Sequence, residues 1–207
     1  MRLALMGGTF DPPHVGHFLA ASDAFDHLGL DRLVFVPAAQ QPLKQHHPSA
    51  AAQHRLRMLQ VMTEADTRFE VDEIEIARSG LSFTVDTLEE FARRFPAAER
   101  FFLLGVDAFA LLDQWRNAAR VVSLARFVVM TRVSGPDAEH RGADLDAVRA
   151  RVQSVGGTPA AEPLVMNLRR VDVSSTEIRE RVKAGLPIRG FVTDTVAEYI
   201  DFNGLYR

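Results

Sequence analysis

An α/β fold built on a parallel sheet is what this sequence predicts, on three observations. Apolar runs of strand length alternate with amphipathic stretches of helix length, the pattern of βαβ units. A glycine pair, Gly7-Gly8, follows the first apolar run directly and precedes a helix start. The 207 residues, 47% hydrophobic and 25% charged, provide apolar material for one α/β core and fall short of two ordinary domains. The arrangement expected is a Rossmann-like, doubly wound parallel sheet forming one domain over residues 1–207, with residues 170–207 as a small helical C-terminal portion packed on it.

Leu3 to Met6 is the first strand. The helix after the glycine loop begins near Val15 or Gly16 and runs to about Leu28, where Gly29 ends it as a C-terminal cap. Arg32 to Pro37 contains Leu33-Val34-Phe35-Val36, a buried central strand. Residues 38–50 combine prolines with polar residues and no apolar period, which predicts a loop able to cover a site. A helix from about Ala51 to Ala65 follows, then an extended stretch from Phe69 to Ala77. Thr84 or Asp86 opens a helix that ends before Pro96. Phe101 to Leu104 is the next buried strand, running into Gly105 and a helix through Trp115, and Phe127 to Met130 is another. The polar segment 134–142 is the expected site of surface variability, before a helical period from Asp144 to Val155. Leu164 to Leu168 reads as the last strand. Ser174 to Ala184 is a helix capped by Ser174 or Ser175 and ended by Gly185 and Pro187, and Thr193 to Phe202 is the final helix.

A formal charge of −3 argues against a broad nucleic-acid footprint, so any anion site is local. Without cysteine there is no disulfide and no thiolate chemistry, and a zinc site would have to use His and carboxylates alone. No resident metal site is expected. The run Arg2 to Met6 is too short for a signal-peptide apolar region, and no stretch approaches the ~20 apolar residues of a membrane span. These features fit a cytoplasmic protein with no nucleic-acid or membrane partner. A dimer is compatible with the chain, although no heptad or large apolar helix face argues for one.

The chemistry concentrates at the N-terminus. At Gly7 and Gly8 no Cβ keeps a phosphate from the backbone N–H groups, and the following helix adds free N–H groups and partial positive charge. The spacing fits neither the dinucleotide fingerprint nor the P-loop. His14 and His17, three residues apart at a helix entry, can face the same phosphates and donate to oxygens that gain charge as the Pα–O bond to pyrophosphate breaks. An isolated pair with this spacing is more often a surface cap or a metal pair. Here the flanking Gly-Gly-Thr-Phe-Asp-Pro-Pro shifts that balance. His46-His47 in the covering loop read as solvated.

The segment Gly7-Gly8-Thr9-Phe10-Asp11-Pro12-Pro13-His14-Val15-Gly16-His17 resembles the signature of nucleotidyltransferases with a His-x-Gly-His motif, and more narrowly that of bacterial nicotinate-nucleotide adenylyltransferases. The resemblance implies adenylyl transfer from ATP, delivered with Mg²⁺, to nicotinic acid mononucleotide, giving deamido-NAD and pyrophosphate. It implies ATP contacts from Gly7, Gly8, Thr9, Phe10, His14 and His17, with His17 stabilising the α-phosphoryl transition state and His14 assisting. Ser174-Ser175-Thr176-Glu177-Ile178-Arg179 is similar to the family's second ATP motif, which places Ser175 and Thr176 on the phosphates and Arg179 at the pyrophosphate end. By itself this segment reads as an ordinary capped helix start.

Ser82-Phe83-Thr84-Val85-Asp86-Thr87 resembles the segment whose Thr-centred amides receive the nicotinate carboxylate; without the family, Ser82 and Thr84 read equally well as helix caps. Gly105-Val106-Asp107 and Trp115 match the pattern in which the aspartate approaches the ATP ribose and the tryptophan stacks on the pyridine ring. Lys44, in the covering loop, is a candidate to neutralise phosphate and assist catalysis, with Arg132 and Arg55 as further basic candidates. Two positions depart from the family: Leu43 replaces a loop histidine, and Leu111 stands where tyrosine is common. The rivals are transfer to nicotinamide mononucleotide or phosphopantetheine, and a noncatalytic nucleotide-binding regulator.

Overall fold

The computed structural model describes residues 1–44, 50–132, 144–169 and 171–207, with the backbone alone for Lys44 and Arg132. The polar segment 134–142 and the pair His46-His47 lie outside the described residues. Six parallel strands form one sheet: β1 (Arg2–Gly8), β2 (Arg32–Pro37), β3 (Phe69–Val71), β4 (Glu99–Gly105), β5 (Arg126–Arg132) and β6 (Leu164–Leu168). Their order is β3-β2-β1-β4-β5-β6. The chain therefore winds outward from β1 in one direction and then, from β4, in the other. This is the doubly wound topology expected, and its switch point lies between β1 and β4, where open sheets leave a crevice at their carboxyl ends.

Strand alternation assigns the two cores. Leu3 and Leu5 pack with Val34, Phe102 and Phe127 on one face, while Ala4 and Met6 pack with Phe35, Phe101 and Val128 on the other. The first face is covered by α4 (Thr84–Arg94), α6 (Ala118–Leu124) and α7 (Leu145–Ser154), which contribute Leu88, Val121 and Val148. The second is covered by α1 (Val15–Leu28), α2 (Ala52–Thr63), α8 (Ser175–Lys183) and α9 (Asp194–Phe202), through Ala21, Leu59, Ile178 and Val196. Residues after 170, among them Ile178, Val192, Val196 and Ile200, thus join the core on this second face. Gly29 ends α1 at φ 54°, the left-handed conformation that favours glycine.

Two stretches differ from the sequence expectation. Only Phe69–Val71 of the span 69–77 is extended; Ile74–Arg78 forms a short helix, α3. The alternation of Ile74 and Ile76 imitates a strand, but Glu75 between them turns inward and is buried. The expected helix from Gly105 through Trp115 is broken into one turn, α5 (Val106–Phe109), and a 3-10 turn (Leu112–Gln114). Trp115 then leaves in extended conformation and Asn117 adopts φ 52° before α6.

Candidate active site

β1 runs straight into the turn that carries the histidines. Gly8 has no room for a side chain, since a Cβ there would lie 2.9 Å from the Phe10 ring. Phe10 is buried, adopts φ 52°, and makes T-shaped ring contacts with His17 and Phe35. Gly16 is similarly constrained, because a Cβ would meet the His14 ring at 3.0 Å. His14 precedes α1, and its backbone N–H donates to Nδ1 of His17 at 3.2 Å. A backbone amide only donates, so Nδ1 accepts and the proton of the neutral His17 ring sits on Nε2. His14 itself is 3% exposed, its ring centroid 3.7 Å from that of His17. The two imidazoles are therefore layered, one at the surface and one beneath it.

α1 presents fewer open amides than an isolated helix start would. The Val15 N–H donates to the Phe191 carbonyl at 3.0 Å and the His17 N–H to that of His14 at 2.9 Å. Gly16, which lines a cleft, is the first-turn amide with no backbone partner among the described residues.

Two clefts meet at this turn. The smaller, of about 200 Å³, is bounded by Phe10, Gly16, Leu103, Met130 and Val171. The larger, of about 510 Å³, is bounded by Val36, Glu75, Thr84, Asp107, Leu111 and Trp115. Gly7, Gly8, His17 and Gly105 line both. Of the residues expected in the site, Gly7, Gly8, His17, Thr84, Asp107 and Trp115 thus face one space, with Phe10 on the adjoining wall.

The second motif reaches this space by another route. Ser174 is the cap of α8, accepting from the Glu177 N–H at 3.1 Å, which leaves Ser175 for a different task. Ser175 Oγ donates to the Pro12 carbonyl at 2.8 Å, and Arg179 Nη1 donates to the Asp11 carbonyl at 2.7 Å. Arg179 Nη2 donates to Thr176 Oγ1 at 3.2 Å. Ser175, Thr176 and Arg179 stand outside the walls of both clefts, joined to them through the turn.

Several expectations are sharpened or corrected. Arg55 is 2% exposed and donates to the carbonyls of Ala50, Thr9 and Ala39 at 3.0, 2.7 and 2.9 Å. It ties three loops together and has no guanidinium face left for a phosphate. Burial holds its pKa below the usual arginine range, partly offset by the charge of Asp11. Thr9 meets this arginine through its carbonyl. Neither Ser82 nor Thr84 caps α4: Ser82 Oγ accepts from the Ala39 N–H at 2.9 Å, and Phe83 occupies the cap position with no side-chain bond. The Thr84 and Val85 N–H groups at the start of α4 have no backbone partner among the described residues, and Thr84 lines the larger cleft. Lys44 ends a 3-10 turn (Pro42–Lys44) beside that cleft, and Arg132 ends β5; the side chains of both lie outside the described ones.

Sequence reasoning passed over Glu75, Arg116 and Tyr206. Glu75 is 8% exposed and accepts from Thr87 Oγ1 at 2.6 Å. Burial pushes its carboxyl above the usual range, opposed by hydrogen bonds from Thr87 and Ser82. Arg116 pairs with Asp86 at 2.6 Å and lies 4.2 Å over the Phe83 ring at the cleft wall. Tyr206 donates to Asp11 Oδ1 at 2.7 Å. A glutamate between isoleucines was the one readable signal; the other two pairings span distances no local pattern encodes.

Residues 5–181 match the family model described as cytidylyltransferase-like. A probable nicotinate-nucleotide adenylyltransferase from Gemmatimonas aurantiaca is 48% identical over 207 residues, covering 100% of this chain and 93% of that protein. A second, from Thermus thermophilus, is 41% identical and covers 100% of both chains. Among solved structures, the Plasmodium falciparum nicotinic acid mononucleotide adenylyltransferase complexed with NaAD superposes with a TM-score of 0.78 at 17% identity, over 99% of this chain and 97% of that one. At that identity the superposition speaks for the fold.

Proposed function

This chain belongs to the nicotinate-nucleotide adenylyltransferase family, within the cytidylyltransferase-like proteins, and from that premise we propose how its residues transfer the adenylyl group of ATP to nicotinic acid mononucleotide, giving deamido-NAD and pyrophosphate. The observation that carries the reading is the shared wall. Gly7, Gly8 and His17 border both clefts, so ATP in the smaller and the pyridine nucleotide in the larger would bring α-phosphate and acceptor phosphate to the same few atoms.

The acceptor's 5′-phosphate oxygen attacks Pα, the new Pα–O bond forms and the bond to pyrophosphate breaks. The nucleophile is already an anion, so no strong base and no covalent enzyme intermediate is needed; positioning and charge stabilisation carry the rate. His17 Nε2–H donates to the α-phosphoryl oxygens, with Gly16 N–H and the Gly7-Gly8 backbone beside it. His14 acts from below, fixing the tautomer of His17 through its own backbone N–H. Thr176, Ser175 and Arg179 bind the departing pyrophosphate, Asp107 the ATP ribose, and Lys44 and Arg132 the acceptor phosphate as the covering loop closes. The open amides at Thr84 receive the pyridine carboxylate, and Trp115 stacks on the ring. Mg²⁺ enters with ATP as part of the substrate and offsets its phosphate charge. The reaction runs in the cytoplasm on one nucleotidyltransferase domain spanning residues 1–207. Among the described residues no helix is long and apolar enough to cross a membrane.

The test is pyrophosphate release from ATP and Mg²⁺ in separate reactions with nicotinic acid mononucleotide, nicotinamide mononucleotide and phosphopantetheine. Release is expected to be fastest with the nicotinate nucleotide. Faster release with either rival acceptor, or release with none, overturns the reading.

A further inference from the structure

Asp11 stands at a crossing that the reaction itself does not explain. It is 5% exposed and stands outside the walls of both clefts. Its Oδ1 accepts twice, from the Ala50 N–H at 3.1 Å and from the Tyr206 hydroxyl at 2.7 Å. Arg179 approaches from the other side: Nη1 bonds the Asp11 backbone carbonyl at 2.7 Å while remaining 3.9 Å from the carboxylate Oδ2. The guanidinium thus donates to a neutral oxygen and makes only a long ion pair, without a hydrogen bond, to the charged one.

The backbone on both sides of this contact is constrained. Phe10, immediately before Asp11, has φ 52°, and Tyr206 has φ 64°. Left-handed conformations in bulky side chains persist only where the surroundings over-determine them, and they mark positions held for a purpose. Tyr206 is half-buried, and burial together with the Asp11 carboxylate raises its hydroxyl far above the ordinary phenol range, so it stays protonated and donates.

We propose that Tyr206 is a positioning residue for adenylyl transfer: by occupying the Asp11 carboxylate it keeps Arg179 from collapsing onto Asp11 and leaves that guanidinium available to the pyrophosphate end of ATP. This rests on the reading of Arg179 as a pyrophosphate ligand. Oδ1 already holds two donors, and Nη2 of Arg179 donates to Thr176 Oγ1 at 3.2 Å rather than to the carboxylate. Without the hydroxyl, Asp11 keeps one backbone donor and sits beside two arginines, Arg55 and Arg179. Arg55 is fixed on three carbonyls, whereas Arg179 bonds one carbonyl and one hydroxyl, so Arg179 is the cation able to shift the short distance into a direct hydrogen-bonded pair.

The experiment is a double-mutant cycle with Tyr206→Phe and Arg179→Ala, reading kcat, the KM of each substrate, the inhibition constant of added pyrophosphate, and the thermal midpoint. Tyr206→Phe removes one oxygen and keeps the ring that packs on the core, so the midpoint should move little. The KM for ATP and the pyrophosphate inhibition constant are expected to rise roughly tenfold, the scale of one hydrogen bond to an ionised group. The KM for nicotinic acid mononucleotide should stay unchanged. In the Arg179→Ala background the same Tyr206→Phe change should have no further effect on ATP or pyrophosphate. If Arg179→Ala impairs both readouts while Tyr206→Phe leaves them alone, or adds its effect independently, the positioning role is wrong and the ligand role of Arg179 stands. If Arg179→Ala leaves both readouts at wild-type values, the ligand role fails and the positioning role with it. A lowered midpoint with unchanged kinetic constants makes Tyr206 a structural tether only, which also overturns the proposal.

Discussion

The turn from Gly7 to His17 and the stretch from Ser79 to Arg116 face one another across the larger cleft, and they are held in different ways. The first is fixed from outside by distant parts of the chain: Arg55 on the Thr9 carbonyl, Arg179 on that of Asp11, Ser175 on that of Pro12, and the Phe191 carbonyl on the Val15 N–H. The second is tied by fewer bonds: Ser82 to Ala39 across the chain, Thr87 to Glu75, and the half-exposed Arg116 to Asp86. An exposed pair of this kind contributes little rigidity. A chemical step needs donors fixed before the charge develops, and on the proposed reading the first region is the one that supplies them. Recognition of a flat ring and a carboxylate tolerates a wall built of short turns.

That contrast predicts where substitutions register. His17→Ala should reduce kcat by roughly 10²–10³-fold, the loss of one preorganised donor, with the thermal midpoint preserved. A well-folded His17→Ala protein with near-normal turnover would remove the first region's claim to the chemistry. Trp115→Ala belongs to the other side of the comparison. Its expected effect is on the KM of nicotinic acid mononucleotide, by about tenfold, since stacking on a base is worth roughly 1–3 kcal/mol; the KM for ATP should hold. Equal changes in both constants would mean that the regions do not divide the substrates as drawn.

The smallest effect concerns stability and its dependence on pH. Burial holds the Glu75 carboxyl above the ordinary carboxylate range, so the folded protein keeps a proton that the unfolded chain has already released. The stability this contributes is complete at low pH and is lost as pH climbs from the ordinary range through the raised value. Glu75→Gln removes the titration, so the midpoint difference should shift in favour of the variant as pH rises from the ordinary carboxylate range upward. Differential scanning at several pH values measures it, and a constant gap contradicts the assignment.

The same two regions separate what is legible in sequence from what is not. The phosphate turn is contiguous, and each of its unusual residues answers a local steric demand: Gly8 against Phe10, Gly16 against His14. The strands were readable for a related reason, since a sheet covered on both faces requires unbroken apolar runs such as Leu33 to Val36. Glu75 was misread because it interrupts a strand-like alternation, and its inward turn depends on a hydroxyl at Thr87 in a different helix. The break between Val106 and Ala118 followed no Gly or Pro punctuation. Tyr206 and Asp11 lie 195 positions apart, and nothing in either neighbourhood announces the other.

One consequence follows from the wall of Gly7, Gly8 and His17 common to the two clefts. If ATP and the pyridine nucleotide fill the two clefts as proposed, each meets atoms that border the other, and any effect of one on the affinity for the other is a linkage between them. Linkage is reciprocal: the factor by which bound ATP alters the affinity for the pyridine nucleotide must equal the factor by which the pyridine nucleotide alters the affinity for ATP. Neither affinity is then a fixed property of its own cleft. On that assignment, any response to the relative abundance of the two substrates would pass through a boundary only a few residues wide.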